Sequence, residues 1–139
     1  MTCHRCRRWR GASVVDLQRS RYLNDELDAW WTSTLTAHLV PGLTSHLGDS
    51  ASLYATLTND YGLRPTRQWT RLEFPLAPRH IAEKLDLRGR PRMVLLTGLI
   101  ASQPDGPPLE LTQAWLRDDL FDMVMELGQP PTGSPRWLH

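Results

Sequence analysis

The feature that most constrains the fold is a series of three apolar segments between residues 92 and 127. The first, 93–100, is almost continuously apolar, and the turn-forming sequence QPDGP follows it at 103–107. A second segment, 109–116, begins at once, and a third, 121–127, alternates apolar and acidic side chains. Short apolar runs separated by glycine and proline are typical of strands joined by tight turns. The sequence therefore predicts three neighbouring antiparallel strands.

Glu110 is the polar residue that this sheet must accommodate. Successive strand side chains alternate between two faces, so Glu110 and Thr112 point one way while Leu109 and Leu111 point the other. With a strand on each side, Glu110 lies in the middle of the predicted sheet. A carboxylate in such a place needs a partner, because removing it from water alone is costly. Glu110 is therefore a candidate functional residue.

Length and composition predict one domain. The chain has 139 residues, of which 40% are hydrophobic and 22% charged, enough for a substantial core. No apolar run reaches the roughly 18 residues of a membrane span, and the arginines near the N-terminus lack the apolar segment of a signal peptide. We expect a soluble, cytoplasmic protein that does not contact a membrane. The domain is assigned to 1–127, and the proline- and glycine-rich segment 128–139 to a loosely packed tail.

The net charge of +1 conceals an uneven distribution. Six arginines but only one acidic residue, Asp16, fall within the first 21 residues. This local excess is suited to binding an anion. The balanced charge of the whole chain excludes a polycation of the nucleic-acid-binding kind.

The two cysteines of the chain, Cys3 and Cys6, form a C-x-x-C pair. A structural zinc site needs four ligands, and the histidines are scattered without the spacing that such sites use. A redox motif would stand between a strand and a helix in a βαβ pattern, which the sequence lacks. The pattern favours two reduced thiols, and we expect neither a metal nor a cofactor.

The N-terminal third predicts a hairpin followed by short helices. Residues 5–10 and 14–23 flank a small-residue turn and predict two paired strands. In 24–48, Asn24 or Asp25 is placed to cap a helix, and the apolar residues have a rough helical spacing. The threonines weaken this pattern, so short helical pieces are expected here rather than one long helix.

Further elements are easier to place. Asp49 or Ser50 is positioned as the N-cap of a helix at 51–62, in which leucines recur at four-residue spacing. An alternating segment at 64–74 predicts a half-exposed strand. Residues 78–87 predict a second helix with a proline at its first position.

Ser52 and Tyr54 fall in the first turn of the helix at 51–62. The free backbone N–H groups and the positive end of the helix dipole favour an anion at such a place. We therefore expect a corner that binds phosphate or carboxylate at this helix start.

Gln18 and Glu110 occupy corresponding places in the two predicted hairpins. The segments LQRSRYL at 17–23 and LELTQAWL at 109–116 each follow a strand and a small-residue turn. The similarity is short, and strand-turn-strand units resemble one another in any case, so chance is an equal explanation. A true repeat would place both side chains at related points of one sheet.

The order of these elements resembles the UTRA domain, the effector-sensing half of GntR-type regulators of the HutC subfamily. The residues that carry the resemblance are a Ser-Leu-Tyr helix start and a Tyr-Gly helix end in 52–65, followed in 78–121 by an Ala-x-x-Leu helix, a hairpin around an Asp-Gly turn and a Glu-bearing strand that runs into Arg-x-Asp. It implies a chorismate-lyase-like α+β fold, with helices packed on an antiparallel sheet. Such domains usually begin with a further strand and helix, so the resemblance also implies a chain that is truncated at its N-terminus.

The resemblance implies an effector site as well. In the family, an Arg-x-Arg strand and the serine and tyrosine of the Ser-Leu-Tyr turn hold an anionic group, while glutamates on two hairpins bind hydroxyls. Six residues of this chain occupy the matching positions: Arg5, Arg7, Gln18, Ser52, Tyr54 and Glu110. Gln18 stands where the first glutamate is usual, and Arg8 is a competing choice for the arginine pair.

Two functions follow from the resemblance. In the first, the domain binds a small anionic metabolite and signals to a winged-helix DNA-binding domain, which this chain lacks, in a homodimeric regulator. In the second, it is an enzyme of the related lyase type, which eliminates pyruvate from chorismate with buried arginines and with Glu110 as the acid. No second convincing acid or base accompanies Glu110, so sensing without catalysis is the expected function.

Overall fold

The fold is built on one six-stranded antiparallel sheet with short helices on both faces. In the computed structural model, residues 2–9, 11–48 and 52–119 are described, the first of these ranges by its backbone alone. The strands are β1 Thr2–Trp9, β2 Ala12–Leu23, β3 Glu26–Thr36, β4 Thr66–Glu73, β5 Val94–Ala101 and β6 Pro108–Leu116. Their order across the sheet is β1-β2-β3-β6-β5-β4. The helices are α1 Leu43–His46, α2 Leu53–Asn59 and α3 Arg79–Lys84, with a 3-10 turn at Ala37–Leu39. The predicted α+β class is confirmed.

The hairpin around the Asp-Gly turn is confirmed as β5 and β6. The neighbour of β6 on its other side is β3, so the prediction that the segment 121–127 lies beside β6 is wrong. Residues 121–127 and the tail at 128–139 themselves lie outside the described residues. Glu110 pairs with Leu35 of β3 and with Ile100 of β5. It therefore occupies an inner strand, as predicted, but one of its two neighbouring strands, β3, is far away in the sequence.

The prediction of helical pieces in 24–48 is wrong for its first half. Residues 26–36 form β3, which pairs with β2 and β6. Asn24 and Asp25 have positive φ angles of 51° and 65° and form the turn between β2 and β3 rather than a helix cap. Asn and Asp tolerate this left-handed conformation, and β-branched threonines favour strands. Pairing with two neighbouring strands thus prevails over the rough helical spacing.

The other predicted elements are confirmed with slightly different ends. The strand at 64–74 is β4, the two helices are α2 and α3, and the N-terminal hairpin is β1 and β2. Ser52 caps α2, because its Oγ accepts a hydrogen bond from Ala55 N at 3.4 Å. The prediction that Asp49 or Ser50 is the cap is therefore wrong, because the helix begins after Ser52; the two residues themselves lie outside the described ones.

Each face of the sheet is covered by a different helix. On one side, called the α2 face, α2 packs into a cluster of buried side chains that includes Val15, Leu17, Leu35, Leu53 and Leu57. On the opposite α3 face, the helix α3 packs into a second cluster that includes Trp30, Ile81, Leu85 and Trp115. Side chains that alternate along β3 contribute to both clusters, since Leu35 belongs to the first and Trp30 to the second. The burial fixes α2 over β2, and this position sets the geometry of the site.

Candidate functional site

A cavity of about 330 Å³ opens beside the first turn of α2 and the C-terminal half of β2. Its lining consists of Arg19, Ser20, Arg21, Trp31, Ser52, Leu53 and Tyr54. Two of these side chains carry a positive charge, and no acidic side chain of the described residues lines the cavity. The cavity therefore has the electrostatic character of an anion site.

Arg19 supplies the uncompensated charge. It lies directly opposite Trp31 in the pairing of β2 with β3, and alternation along β2 places it on the α2 face with Leu17. Within the described part of the chain, Arg19 has no ion-pair partner. Its guanidinium is thus available to a ligand that enters from solvent.

Arg21 lies two residues further along β2 and is already engaged. Its Nε donates to both carboxylate oxygens of Asp28 at 3.1 and 3.0 Å, and its Nη2 donates to Oδ2 at 2.6 Å. The Asp28 side chain is fully buried, whereas that of Arg21 is half-exposed. Asp28 stands at a β-bulge, since Arg21 pairs with Ala29 and the next residue, Tyr22, pairs with Leu27. The bulge turns the carboxylate toward Arg21.

Tyr54 connects the cavity to Glu110. The tyrosine hydroxyl donates to Glu110 Oε2 at 3.1 Å, and only 2% of Glu110 is exposed. Burial, and then the charge of Glu110 and this hydrogen bond, raise the pKa of Tyr54 to about 12, while the charges of Arg67 and Arg19 act in the opposite direction. The partner that an inner-strand carboxylate requires is therefore Tyr54.

Arg67 belongs to β4, the strand at the other edge of the sheet. Its side chain extends toward the same region. A Cβ atom at Gly98 would lie 2.6 Å from Arg67 Nη1, so the guanidinium occupies the space that a side chain on β5 would fill. The same Nη1 donates to Thr70 Oγ1 at 3.0 Å. The charge lowers the pKa of Tyr54 against the dominant effects of burial and Glu110. Arg67 thus contributes positive potential near the Tyr54 hydroxyl.

The predicted site residues are partly brought together. Ser52, Tyr54 and Glu110 lie within one connected group at the start of α2. Gln18 does not join them, since it pairs with Thr32 and alternation places it on the α3 face. Arg5 and Arg7 pair with Asp16 and Val14 in β1, and their side chains lie outside the described residues, so their role stays a prediction.

The cavity is also lined by Arg19, Arg21 and Trp31, which were not predicted as site residues from the sequence. A signal was available, because residues 19–21 read Arg-Ser-Arg within an alternating strand. This is a second Arg-x-Arg pattern, and it stands one strand later than the pattern chosen. One strand of the sheet, β1, thus precedes the arginines that reach the cavity.

Ser33 is a buried polar group on the α2 face. It pairs with Leu17 and Thr112, only 1% of it is exposed, and its Oγ has no hydrogen-bond partner among the described residues. A buried hydroxyl without a partner lowers stability.

Removing this hydroxyl is expected to stabilise the protein. We predict that Ser33→Ala raises the free energy of unfolding by about 1 kcal/mol, because an unsatisfied buried group is lost. Ser52→Ala is the matched control, and it should lower stability by about 1 kcal/mol, because the cap of α2 is removed. Urea denaturation of the ligand-free protein measures both. A destabilised Ser33→Ala variant would show that the hydroxyl has a partner in solution.

The described part of the chain contains no group of three or more histidine, cysteine, aspartate or glutamate side chains that could hold a metal ion. None of its helices has the length and apolar character needed to cross a membrane.

Comparisons with known proteins identify the family and the fold. The UTRA domain family matches residues 5–122, and a comparison with curated protein sequences finds no match. The effector domain of PhnF from Mycobacterium smegmatis is 28% identical, with 84% of this chain and 72% of that one covered and a TM-score of 0.73. PhnF from the same organism is 26% identical over 85% of this chain and 52% of that one, with a TM-score of 0.76. A GntR-family transcriptional regulator from Enterococcus faecalis V583 is 20% identical over 84% and 82%, with a TM-score of 0.70.

Fold and site together define a ligand-binding effector domain of the GntR-family regulators, with the chorismate-lyase-like sheet and its helices. Since the matched segment covers most of its length, the chain belongs to the UTRA domain family.

Proposed function

We propose that this chain senses a small anionic metabolite, as the effector domain of a cytoplasmic, homodimeric GntR-type regulator of the HutC subfamily. The observation that supports the proposal is the lining of the cavity. It contains Arg19, which has no ion-pair partner in the described part of the chain, and no acidic side chain of that part. Charge-assisted hydrogen bonds from a guanidinium to phosphate or carboxylate are strong and directional. The anionic group of the ligand would bind at Arg19.

The other end of the cavity favours a different group. The proton of the Tyr54 hydroxyl is committed to Glu110, so the tyrosine oxygen faces a ligand mainly as an acceptor. Trp31 adds an apolar surface to the lining of the cavity. A fitting ligand therefore has an anionic group, a short carbon skeleton and a hydroxyl or amino group that donates to Tyr54.

Sensing is favoured over the alternative lyase activity. Glu110, the acid of that alternative, already accepts a hydrogen bond from Tyr54 and is absent from the lining of the cavity. We propose that the ligand instead stabilises one position of α2, which Leu53 and Leu57 anchor to the sheet, and that this change reaches a DNA-binding domain in the full regulator. Chorismate should yield no 4-hydroxybenzoate above background with this protein, and product formation would favour the enzyme.

Binding of small phosphates tests the proposal. We expect glycerol 3-phosphate and ethanolamine phosphate to bind more tightly than inorganic phosphate, because they add a donor for Tyr54. Arg19→Gln should weaken the binding of both esters by about tenfold or more, since one charge-assisted contact is lost. Titration calorimetry measures the dissociation constants. Arg79→Gln, on the opposite face in α3, is the matched control and should bind as the wild type does. Equal affinities in the wild type and Arg19→Gln would refute the role of Arg19.

A further inference from the structure

β4 forms one edge of the sheet, and no described strand pairs with its outer side. Met93 N donates to Pro75 O at 2.9 Å and Ala77 N donates to Pro91 O at 2.8 Å, so the odd-numbered residues 75 and 77 direct their backbone groups toward the β5 side. The register is unbroken back to Thr70. Because backbone direction alternates along a strand, Thr70, Leu72 and Phe74 direct their N–H and C=O groups outward.

Large apolar side chains are exposed along the same edge, on both faces of the strand. Trp69, Phe74 and Leu76 are 43%, 59% and 48% exposed, although all three are large. The Arg92 guanidinium donates to Phe74 O at 2.8 Å, and this carbonyl retains a second lone pair. An exposed edge strand with apolar side chains is a template for pairing with another strand.

The charges on β4 are self-complementary. Arg71 and Glu73 are exposed, and they lie on one face because they are two residues apart in a strand. Neither has an ion-pair partner within the described ranges, although Arg71 lies 6.0 Å from the ring centroid of Trp69. A second copy of this strand, running antiparallel, presents the same two charges in reverse order.

Charge selects one register for such a pairing. If the two-fold axis passes through Leu72, its outward backbone groups pair with those of the partner's Leu72, and Arg71 lies opposite the partner's Glu73 twice. A two-fold axis at residue 71 would place two arginines opposite each other, and an axis at residue 73 two glutamates. Like charges directly opposite are destabilising, and opposite charges stabilising. The favoured register also places Trp69 against the partner's Pro75 and Phe74 against the partner's Thr70.

We propose that the β4 edge is the dimer interface, and that two copies pair their β4 strands antiparallel about a two-fold axis at Leu72. The two six-stranded sheets then form one continuous sheet. An isologous contact of this kind uses the same patch on both subunits, as closed symmetry requires. The interface lies at the opposite side of the sheet from β2 and the effector cavity, so dimerisation and ligand binding can be tested separately.

Charge reversal tests the interface. The wild type should sediment as a dimer, and Arg71→Glu or Glu73→Arg should each raise the dimer dissociation constant by about tenfold or more, because both cross-strand pairs become repulsive. The double variant Arg71→Glu/Glu73→Arg restores opposite charges and should restore the dimer. Glu83→Arg, exposed on α3, is the control and should leave the dimer intact. A monomeric wild type, unaffected single variants or a monomeric double variant would each overturn the proposal.

A cross-link tests the register. In a background with Cys3→Ser and Cys6→Ser, Leu72→Cys should form an intermolecular disulfide on mild oxidation, because residues facing each other across a strand pair lie within disulfide reach. Thr70→Cys should not, since it faces the partner's Phe74. Cross-linking through position 70 and not 72 would overturn the register. Circular dichroism establishes that each variant is folded, and unchanged phosphate-ester binding in Arg71→Glu separates this result from the proposed sensing function.

Discussion

Replacing Arg21 with methionine is expected to lower the free energy of unfolding by about 3 kcal/mol. Every hydrogen bond that the Asp28 carboxylate accepts from a described side chain comes from Arg21, and that carboxylate is fully buried. The variant would leave a buried charge without a partner, which is strongly destabilising. The expected loss lies at the lower end for buried pairs, because the Arg21 side chain is half-exposed and water can enter near it.

Arg19→Met is the matched control for this experiment. It removes the same side chain two residues away, where no ion pair exists among the described residues, and it should change stability by less than about 0.5 kcal/mol. The double variant Arg21→Met/Asp28→Leu removes both charges and should recover most of the loss, since apolar replacements of buried pairs are often neutral. Urea denaturation measures all four proteins. Equal losses for Arg19→Met and Arg21→Met would contradict the argument.

This contrast assigns different tasks to two arginines of one short motif. Arg21 holds the bulge of β3 in place through Asp28, and Arg19 is available to a ligand. A sequence pattern such as Arg-x-Arg cannot make this distinction, because both side chains share a face. The distinction depends on Asp28, which comes from the neighbouring strand.

Local patterns allowed much of the fold to be predicted. The hairpin at β5 and β6 and the helices α2 and α3 depend on nearby residues, such as turn glycines and apolar spacing, and these were assigned correctly. The strand β3 was missed, because its stability comes from pairing with β2 and β6, and β6 is remote in the sequence. Propensity yields to such tertiary pairing.

The site was predicted only in part, because its residues come from strands and helices that are far apart in the sequence. Tyr54 and Glu110 are hydrogen-bonded across 56 positions of the sequence, and only the family resemblance placed them together. Gln18 was expected beside them, but inserting β3 between β2 and β6 sets a register in which Gln18 faces the other side. The position of the Arg67 guanidinium depends on the absence of a side chain at Gly98. The sequence has no pattern that predicts this contact.

Loss of the hydrogen bond between Tyr54 and Glu110 is also expected to lower stability by a large amount. Tyr54→Phe should lower the free energy of unfolding at pH 7 by about 2 kcal/mol, because a nearly buried carboxylate loses its hydrogen-bond donor. Tyr22→Phe, at an exposed position, is the control and should have little effect. A Tyr54→Phe variant as stable as the wild type would show that another group satisfies Glu110.

Alkaline pH separates this bond from simple packing. The pKa of Tyr54 is raised from 10.0 to about 12 in the folded protein, so between these values the unfolded chain releases a proton that the native state keeps. Native binding of more protons means that stability falls as pH rises. Tyr54 is 42% exposed, and solvent screening therefore keeps the slope well below the limit of about 1.4 kcal/mol per pH unit. The wild type should lose more stability than Tyr54→Phe between pH 10 and 12, and parallel profiles would contradict the raised pKa.

Glu110→Gln identifies the source of the raised pKa. Glutamine can still accept a hydrogen bond from the tyrosine hydroxyl but carries no charge. The pKa of Tyr54 should therefore fall toward its ordinary value without reaching it, because burial is the largest cause of the shift. The ultraviolet absorbance of tyrosinate follows this titration, with Tyr54→Phe as the baseline. The same variant tests ligand recognition, since a neutral amide holds the Tyr54 hydroxyl less strongly than a carboxylate does, and the hydroxyl can then donate to a ligand as well as accept. We therefore expect Glu110→Gln to reduce the preference for phosphate esters with an amino group over inorganic phosphate, while Arg19 continues to hold the anion.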